Sequence, residues 1–328
     1  MKYRTLGKTG FRVSEVSLGT WQVGGRWGED FDHARAERIL NEAIDSGVTF
    51  IDTADVYSDR QSERAVANVV KKRSEDVKVA TKCGRRLNPH TSAQYTPGAM
   101  RTFVEEALVN TGFERLDLIQ LHCPPTEVYY RPEIFETFER LKEEGKIDHL
   151  GVSVEKVEEG LKAIEYENVA TVQIIYNMFR HRPAELFFPR AAQKNKGIIV
   201  RVPLASGLLT GKFNEESSFA PGDHRHFNRN GEAFDRGETF SGVDYETGLR
   251  AVRELSERLG AGPQLAAYAI RWVLMEQAVS TVIPGASSPE QLNANVAAAE
   301  LPPLTEQQMS VVREVYDTWI RNPVHHLW

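Results

Sequence analysis

The sequence predicts an α/β fold: a single (β/α)8 TIM barrel with an N-terminal β-hairpin, a long loop after the seventh strand and an extra C-terminal helix. Eight short, β-rich runs alternate with helical patterns along the chain. No glycine-rich dinucleotide fingerprint follows any of these runs, which favours a closed barrel over an open doubly wound sheet. Since one barrel routinely occupies a chain of 328 residues, we expect one domain spanning 1–328.

The elements follow in a regular order. Two β-like pieces around a glycine-bounded turn predict a hairpin in residues 1–14, which would close the bottom of the barrel. The eight strand-like runs lie at 16–21, 48–51, 77–81, 116–121, 149–152, 170–174, 198–202 and 280–283. Helical patterns lie at 34–46, from 61 onward, and at 98–111, 131–145, 155–166, 183–195, 246–259, 263–277, 288–298 and 305–320.

Two segments lack such a pattern. Residues 213–245 are rich in Gly, Asp, Arg, His and Asn and have no clear period. Because long loops in compact domains are usually functional or mobile, we expect residues 205–245, here called the mouth loop, to lie over the barrel mouth. The tail, residues 321–328, is apolar and aromatic. We expect it to pack near the mouth or on a partner chain, the alternative being a frayed end.

Composition and charge exclude several classes of protein. Forty basic and 46 acidic residues give a net charge of −6, which disfavours nucleic-acid binding through a basic face. No run approaches 18 apolar residues, so no membrane span is expected. The opening residues 1–4 lack the apolar stretch of a signal peptide, and a cytoplasmic enzyme is the default expectation. The oligomeric state is left open.

Neither the cysteines nor the histidines indicate a metal site. Cys83 and Cys123 are too few for a disulfide scaffold or a cysteine-rich zinc site. The loop and tail also contain histidines that could be taken for metal ligands, namely His224, His226, His325 and His326. Because no acid or cysteine accompanies them at defined spacing, solvated histidines are the better interpretation and no metal is expected.

Four polar residues follow strands and would meet at the barrel mouth: Asp52, Tyr57, Lys82 and His122. Taken singly, they read as a turn acid, a surface tyrosine, a surface lysine and a core histidine. Together they suit protonation of a carbonyl oxygen. A free tyrosine has a pKa of about 10, and Lys82 would lower it by stabilising the phenolate. Asp52 would orient Lys82, and His122 would donate a hydrogen bond to the oxygen. The hydride must come from a nicotinamide cofactor.

The chain also resembles the aldo-keto reductases over almost its whole length. The matching stretches are 47–57 with 62–63, 80–82, 116–122, 145–153, 172–177, 203–212 and 283–295. The resemblance implies NAD(P)H-dependent reduction of aldehydes or ketones to alcohols, or the reverse reaction on sugars or polyols. It also implies that Asp52, Tyr57, Lys82 and His122 are catalytic, with Tyr57 as the proton donor. The partners would be small carbonyl or alcohol substrates.

The same resemblance implies a set of cofactor contacts. Ser153 and Gln173 would hold the nicotinamide amide, with residues 19–21 beside the reacting ring. The expected cofactor-binding residues are Gly19, Thr20, Trp21, Asp52, Ser153, Gln173, Arg201, Pro203, Leu204, Ser206, Gly207, Leu209, Gly211, Lys212, Gly285, Ser287, Ser288, Gln291 and Asn295.

Some positions depart from the family pattern. Val154 stands where relatives often have Asn, and Arg201 stands where many stack a tyrosine on the nicotinamide. We expect Arg201 to contact the cofactor, the alternative being a rim salt bridge. Residues 285–291 lack the basic residue that holds a 2′-phosphate in many relatives. Discrimination should be weaker without that cation; NADP(H) nevertheless remains favoured on family grounds, and NAD(H) is possible. Ser288 also fits an N-cap position before Pro289.

The expected substrate pocket comprises Trp21, Tyr57, His122 and Cys123, with the small Cys123 side chain opening one side. Two other classes of function remain open. A cofactor-binding sensor or regulatory subunit would retain the barrel with little turnover. A metal-dependent hydrolase would need further His or Asp ligands at strand ends, and only one strand-end histidine is present.

Overall fold

The protein is described from a computed structural model, in residues 1–25 and 29–328. It confirms the predicted barrel. The strands are β1 (Tyr3–Thr5), β2 (Arg12–Ser14), β3 (Leu18–Gly19), β4 (Phe50–Asp52), β5 (Lys78–Cys83), β6 (Leu116–His122), β7 (Ile147–Ser153), β8 (Val169–Ile175), β9 (Gly197–Arg201) and β10 (Val279–Val282). From β3 to β10 each strand pairs in parallel with the next.

The barrel closes where β3 returns to β10. Parallel bridges join Val16 to Val282 and Gly19 to Gly285. A Cβ atom at Gly19 would lie 2.8 Å from the carbonyl oxygen of Ile283, closer than a side chain can approach. Glycine at this position therefore allows the two backbones to meet.

Helices surround the barrel. They are α1 (His33–Asp45), α2 (Gln61–Val70), α3 (Pro97–Thr111), α4 (Pro132–Glu143), α5 (Val157–Ala163), α6 (Phe187–Gln193), α7 (His224–Phe227), α8 (Tyr245–Leu259), α9 (Leu265–Leu274), α10 (Pro289–Ala297), α11 (Glu306–Val315) and α12 (Arg321–Val324), with a π-helical turn at Tyr316–Ile320. Several helices begin at residues that favour a helix N-terminus. Thr96 caps α3 with Pro97 at its first position, and Thr305 forms a capping box on α11. None of the described helices is long and apolar enough to cross a membrane.

The hairpin closes the bottom of the barrel, as predicted. Leu6 and Val13 are fully buried in one cluster with the inward-facing barrel residues Phe50, Leu118 and Ile199. Fully burying an aliphatic side chain of this size contributes about 1.5–3 kcal/mol. The hairpin thus acts as a plug at the end of the barrel opposite the strand C-termini.

The mouth loop follows β9, the seventh barrel strand, and is more ordered than its composition indicates. It contains α7 and three 3-10 turns, Ala205–Thr210, Arg236–Glu238 and Phe240–Gly242. The tail docks on this loop. Trp328 is buried, and its indole nitrogen donates to Asp235 over 2.8 Å. The ring of Trp328 also lies 4.2 Å from the guanidinium of Arg180, and this contact provides a cation–π interaction.

Candidate active site

The four strand-end residues meet at the barrel mouth. Lys82 Nζ donates to Asp52 Oδ2 at 2.5 Å and to the carbonyl oxygen of Thr53 at 2.9 Å. The same ammonium lies 3.2 Å from the phenolic oxygen of Tyr57. The His122 ring meets the Tyr57 ring edge to face, with 6.1 Å between centroids. The structure therefore brings together an acid, an ammonium, a phenol and an imidazole from three consecutive strands, β4, β5 and β6, and the loop after β4.

Asp52 is the hub of a buried network. Its Oδ1 accepts hydrogen bonds from Gln173 Nε2 at 2.7 Å and from Gln120 Nε2 at 3.0 Å. Our sequence reasoning missed Gln120. The available signal was spacing, because Gln120 lies two residues before His122 on β6 and so points to the same face of the strand. The three donors, Lys82 included, satisfy the buried carboxylate from three barrel strands, β5, β6 and β8.

The pKa of Tyr57 shows which of two effects dominates. Burial raises the pKa of this phenol above its usual value of 10.0, and the charge of Lys82 lowers it only in part. Burial would lower the pKa of Lys82, but the charges of Asp52 and Tyr57 outweigh it and the pKa is raised. At neutral pH the hydroxyl therefore carries its proton beside a charged ammonium. Lys82 thus acts on the tyrosine pKa in the direction expected from the sequence, but burial outweighs it.

His122 is neutral at ordinary pH. Burial, followed by the charges of Arg85, Lys82 and Arg201, holds the pKa of its imidazole well below 6.5. Its Nδ1 is buried and has no hydrogen-bond partner among the described residues. A neutral imidazole keeps one N–H for donation. A buried polar atom without a partner is also what a ligand-binding site presents.

The loop that carries Tyr57 is held from both sides. Ser58, Asp59 and Arg60 have φ values of 47°, 48° and 68°, which turn the chain into α2. Ser62 Oγ then bonds to Thr20 Oγ1 at 2.9 Å. Because this bond ties the start of α2 to the loop after β3, the position of Tyr57 is fixed by contacts at both ends of its own loop.

Aromatic side chains cover the four residues. Trp21 stacks on Tyr57 with ring centroids 5.9 Å apart. From the mouth loop, His224 and Phe234 lie 5.2 Å and 6.2 Å from the Trp21 ring. Among the described residues, the mouth loop thus reaches over the site by aromatic contacts. His325, in contrast, bonds Tyr316 at 2.8 Å, so the loop and tail histidines face different surroundings.

Arg201 belongs to a set of buried and half-buried charges, here called the rim cluster: Arg85, Glu155, Arg201 and Glu238. Arg201 Nη2 donates to Glu155 Oε2 at 2.9 Å, and Arg85 Nη1 donates to Glu238 Oε1 at 3.1 Å. The second Arg201 nitrogen, Nη1, is 3.6 Å from Glu238. The rim salt bridge left open as an alternative is therefore present. The two acids offset part of the positive charge of Arg85 and Arg201.

The two acids of the rim cluster titrate differently. Burial and the charge of Glu238 raise the pKa of Glu155 to about 8. Burial also acts on Glu238, but Arg85 and Arg201 outweigh it and lower its pKa to about 2. The pair therefore shares one proton near neutral pH.

Cys123 borders this cluster. Its thiol lies 3.6 Å from Arg201 Nη2 and 3.5 Å from Ser153 Oγ, and burial raises its pKa. The guanidinium thus lies against the side that a small residue was expected to open. The thiol and the two carboxylates have ligand atoms within 4.8 Å of one another. Because arginines already pair with both carboxylates, a cation there would meet strong repulsion.

The segment after β9 has a strained backbone. Val202, Ala205 and Ser206 have φ values of 54°, 48° and 55°, and Gly207 has 96°. Such values are rare for residues with a side chain, above all for valine, and they cluster at functional sites. Asn177 Nδ2 supports Val202 by donating to its carbonyl oxygen at 2.9 Å.

The other expected contacts in this segment differ in exposure. Ser206 Oγ donates to the carbonyl oxygen of Glu238 at 2.9 Å, so it already ties the segment to the mouth loop. Leu209 is fully buried in the core, whereas Lys212 is exposed. Pro203, Leu204 and Gly211 complete the segment. Of these side chains, only Lys212 offers a charge at the surface.

The loop before α10 forms its own hydrogen bonds. Ser288 Oγ accepts from the backbone nitrogen of Gln291 at 3.3 Å, which makes Ser288 the N-cap. Ser287 Oγ bonds Gln291 Oε1 at 2.8 Å, and Asn295 Nδ2 bonds the carbonyl oxygen of Gly285 at 3.2 Å. A cation that the sequence did not place here, Arg35 of α1, donates from Nε to the carbonyl oxygen of Ser287 at 2.8 Å.

Comparison with known proteins shows which family has this fold and sequence pattern. Residues 15–317 match the model of the Aldo/keto reductase family. The chain is 28% identical to the NADH-specific methylglyoxal reductase of Escherichia coli, over 96% of this chain and 98% of that protein. The glycerol dehydrogenase AKR11B4 of Gluconobacter oxydans is 28% identical, with a TM-score of 0.77 over 100% of this chain and 98% of the other.

A third relative extends the comparison. The aldo-keto reductase AKR11C1 of Bacillus halodurans, in its holo form, is 27% identical, with a TM-score of 0.75 over 96% of both chains. The similarity thus spans the barrel and its loops. A family match over nearly the whole sequence, on a barrel with these residues at its mouth, shows that this chain belongs to the aldo/keto reductase family of nicotinamide-dependent oxidoreductases.

Proposed function

We propose that the protein reduces aldehydes or ketones to alcohols with NAD(P)H, or carries out the reverse reaction on sugars or polyols, and that Tyr57 is the proton donor. The observation that carries this proposal is the chain of contacts from Asp52 through Lys82 to the Tyr57 hydroxyl, 2.5 Å and then 3.2 Å long. A protonated phenol beside a fixed cation is suited to give its proton to a carbonyl oxygen.

The roles of the other side chains follow from their positions. Lys82 stabilises the phenolate that remains after proton transfer, and Asp52 keeps that ammonium oriented. The neutral His122 donates a hydrogen bond to the same substrate oxygen as negative charge develops on it. The carbonyl carbon gains a hydride, which a bound nicotinamide dinucleotide supplies. Tyr57 then regains its proton from water, so that protons and electrons balance.

The cofactor would lie across the barrel mouth. Ser153 is suited to the nicotinamide amide, as is the Oε1 atom of Gln173, since the amide nitrogen of Gln173 is bonded to Asp52. Gly19, Thr20 and Trp21 would flank the ring, and Arg201 would approach it from the rim cluster. The strained segment 202–207, with residues up to 212, would hold the phosphates, and residues 285–295 the adenosine end. NADP(H) is favoured and NAD(H) is possible.

The test combines binding with turnover. NADPH and NADH are titrated against the wild type, and turnover of a panel of small aldehydes is followed at the absorbance band of the reduced nicotinamide. We expect Tyr57→Phe to bind cofactor as the wild type does and to lose turnover by at least about 100-fold. Tyr130→Phe, at a tyrosine that is 64% exposed and lies beside Lys162, is the matched control and should change neither quantity.

Two outcomes would contradict the proposal. Cofactor binding by the wild type without turnover of any aldehyde or alcohol would favour the sensor or regulatory subunit. Full activity of Tyr57→Phe would leave reduction in place but remove Tyr57 as the proton donor.

A further inference from the structure

The loop before α10 contains no basic residue between Gly285 and Gln291, but the fold brings a cation to it from another part of the chain. Arg35, on the first turn of α1, donates from Nε to the carbonyl oxygen of Ser287 at 2.8 Å. The remaining two guanidinium nitrogens have no hydrogen-bond or ion-pair partner within residues 1–25 and 29–328. They are therefore available to an anion at this loop.

The position of Arg35 is fixed by packing and by capping. Ala36, the next residue, is fully buried in the same cluster as Ala286, the residue before Ser287. Asp32 caps α1 by accepting from the backbone nitrogen of Arg35 at 2.9 Å. Helix α1 and the loop thus belong to one packed unit, and little side-chain entropy remains to be lost when the guanidinium meets a ligand.

The surroundings of this loop show why a cation matters. Ser287 Oγ already bonds to Gln291, and Ser288 Oγ caps α10. The exposed Glu290 in the first turn of α10 would repel a phosphate. Hydroxyls alone would bind a dianion weakly against that charge, whereas a guanidinium presents two parallel N–H donors to phosphate oxygens.

We propose that Arg35 of α1 binds the 2′-phosphate of NADP(H) at the Ser287 loop and thereby sets the preference of this enzyme for NADP(H) over NAD(H). The inference rests on the proposed function, because it assumes that a nicotinamide dinucleotide binds with its adenosine end at residues 285–295. It assigns the discriminating charge to a helix far away in sequence from the loop that it serves.

The test is a binding measurement with a variant that separates charge from position. Arg35→Gln keeps an N–H at the place of Nε, so the bond to the Ser287 carbonyl can persist while the charge is lost. Dissociation constants are measured by calorimetry for NADPH, NADH, 2′,5′-ADP and 5′-ADP. Arg38→Gln, at an exposed position on the same helix, is the matched control.

We expect Arg35→Gln to weaken the binding of NADPH and 2′,5′-ADP by about 10- to 100-fold. The dissociation constants of NADH and 5′-ADP should stay within about twofold, since only the first two ligands carry the 2′-phosphate. Arg38→Gln should leave all four constants unchanged. An unchanged NADPH to NADH ratio in Arg35→Gln, or equal weakening of both, overturns the inference and leaves the proposed function intact. Binding of neither dinucleotide by the wild type overturns both.

Discussion

Replacing Asp55 by Asn should make the protein more stable at alkaline pH relative to the wild type. Asp55 is 4% exposed, and neither of its carboxyl oxygens has a hydrogen-bond partner among the described residues. Burial, together with the charge of Glu63, raises its pKa from 3.8 to about 7, and Arg86 and Arg60 oppose this only in part. A charged carboxylate at this position is therefore a cost to the folded state.

The sign and size follow from proton linkage. Below pH 3.8 the carboxyl is protonated in both states, so its contribution to stability is fully present. Between 3.8 and about 7 the unfolded chain is ionised and the folded chain is not, so the free energy of unfolding falls by about 1.4 kcal/mol per pH unit. From pH 5 to pH 8 the loss is about 2–3 kcal/mol. Asn cannot ionise, so the variant should not lose this stability as the pH rises.

The assay is guanidinium unfolding of wild type and Asp55→Asn at pH 5, 6, 7 and 8, followed by tryptophan fluorescence. The difference in unfolding free energy between the two proteins should shift in favour of the variant by about 2–3 kcal/mol across this range. Asp59→Asn is the control, because the pKa of the exposed Asp59 is lowered and its titration lies below the range. A difference that stays constant with pH would refute a raised pKa for Asp55.

Two further variants test the buried contacts. Lys82→Met should destabilise the fold by about 3–5 kcal/mol, because it leaves the Asp52 carboxylate buried without its cation. In denaturant unfolding, the double variant Lys82→Met/Asp52→Asn should recover part of the lost stability. No recovery would mean that the charge of Asp52 is compensated elsewhere. Trp328→Ala should lower the free energy of unfolding by about 3–5 kcal/mol in the same assay. It should also speed limited proteolysis within residues 205–245, because Trp328 packs on Gly237 and Gly242 of the mouth loop. Equal cleavage rates in wild type and variant would show that the tail does not hold the loop.

The barrel could be predicted from the sequence because its signals are local. Strands such as β6 are buried along nearly their whole length and are mostly apolar. Several, among them β4, β6 and β7, end in a polar residue that the topology brings to one rim. The boundaries of short helices were less predictable. The pattern at 183–195 is divided into a 3-10 turn at Arg182–Ala184 and α6, because Pro183 favours an N-terminal turn and not a continuous helix.

The positions of site residues could be predicted where the residue directly follows a strand. They could not be predicted where contacts between distant segments bring the residue to the site. Arg201 could be placed at the mouth, but its partners Glu155 and Glu238 come from distant segments whose approach no spacing reveals. Arg35 is a similar case, since only the packing of α1 on the loop before α10 brings its guanidinium to Ser287. The direction in which the pKa of Tyr57 shifts could not be predicted from the sequence. Burial and the charge of Lys82 oppose each other, and their balance depends on how deeply the phenol is buried.

The hub at Asp52 has a consequence for how new substrate ranges could arise in this protein. Its donors Lys82, Gln120 and Gln173 lie on barrel strands, whereas the cover over the site comes from the mouth loop through His224 and Phe234. Under the proposed function, the barrel strands would carry the chemistry and the mouth loop the selectivity. A grafted or shuffled segment 205–245 that retains Glu238 for the rim cluster could recognise a different alcohol while the proton-transfer machinery stays in register with the barrel.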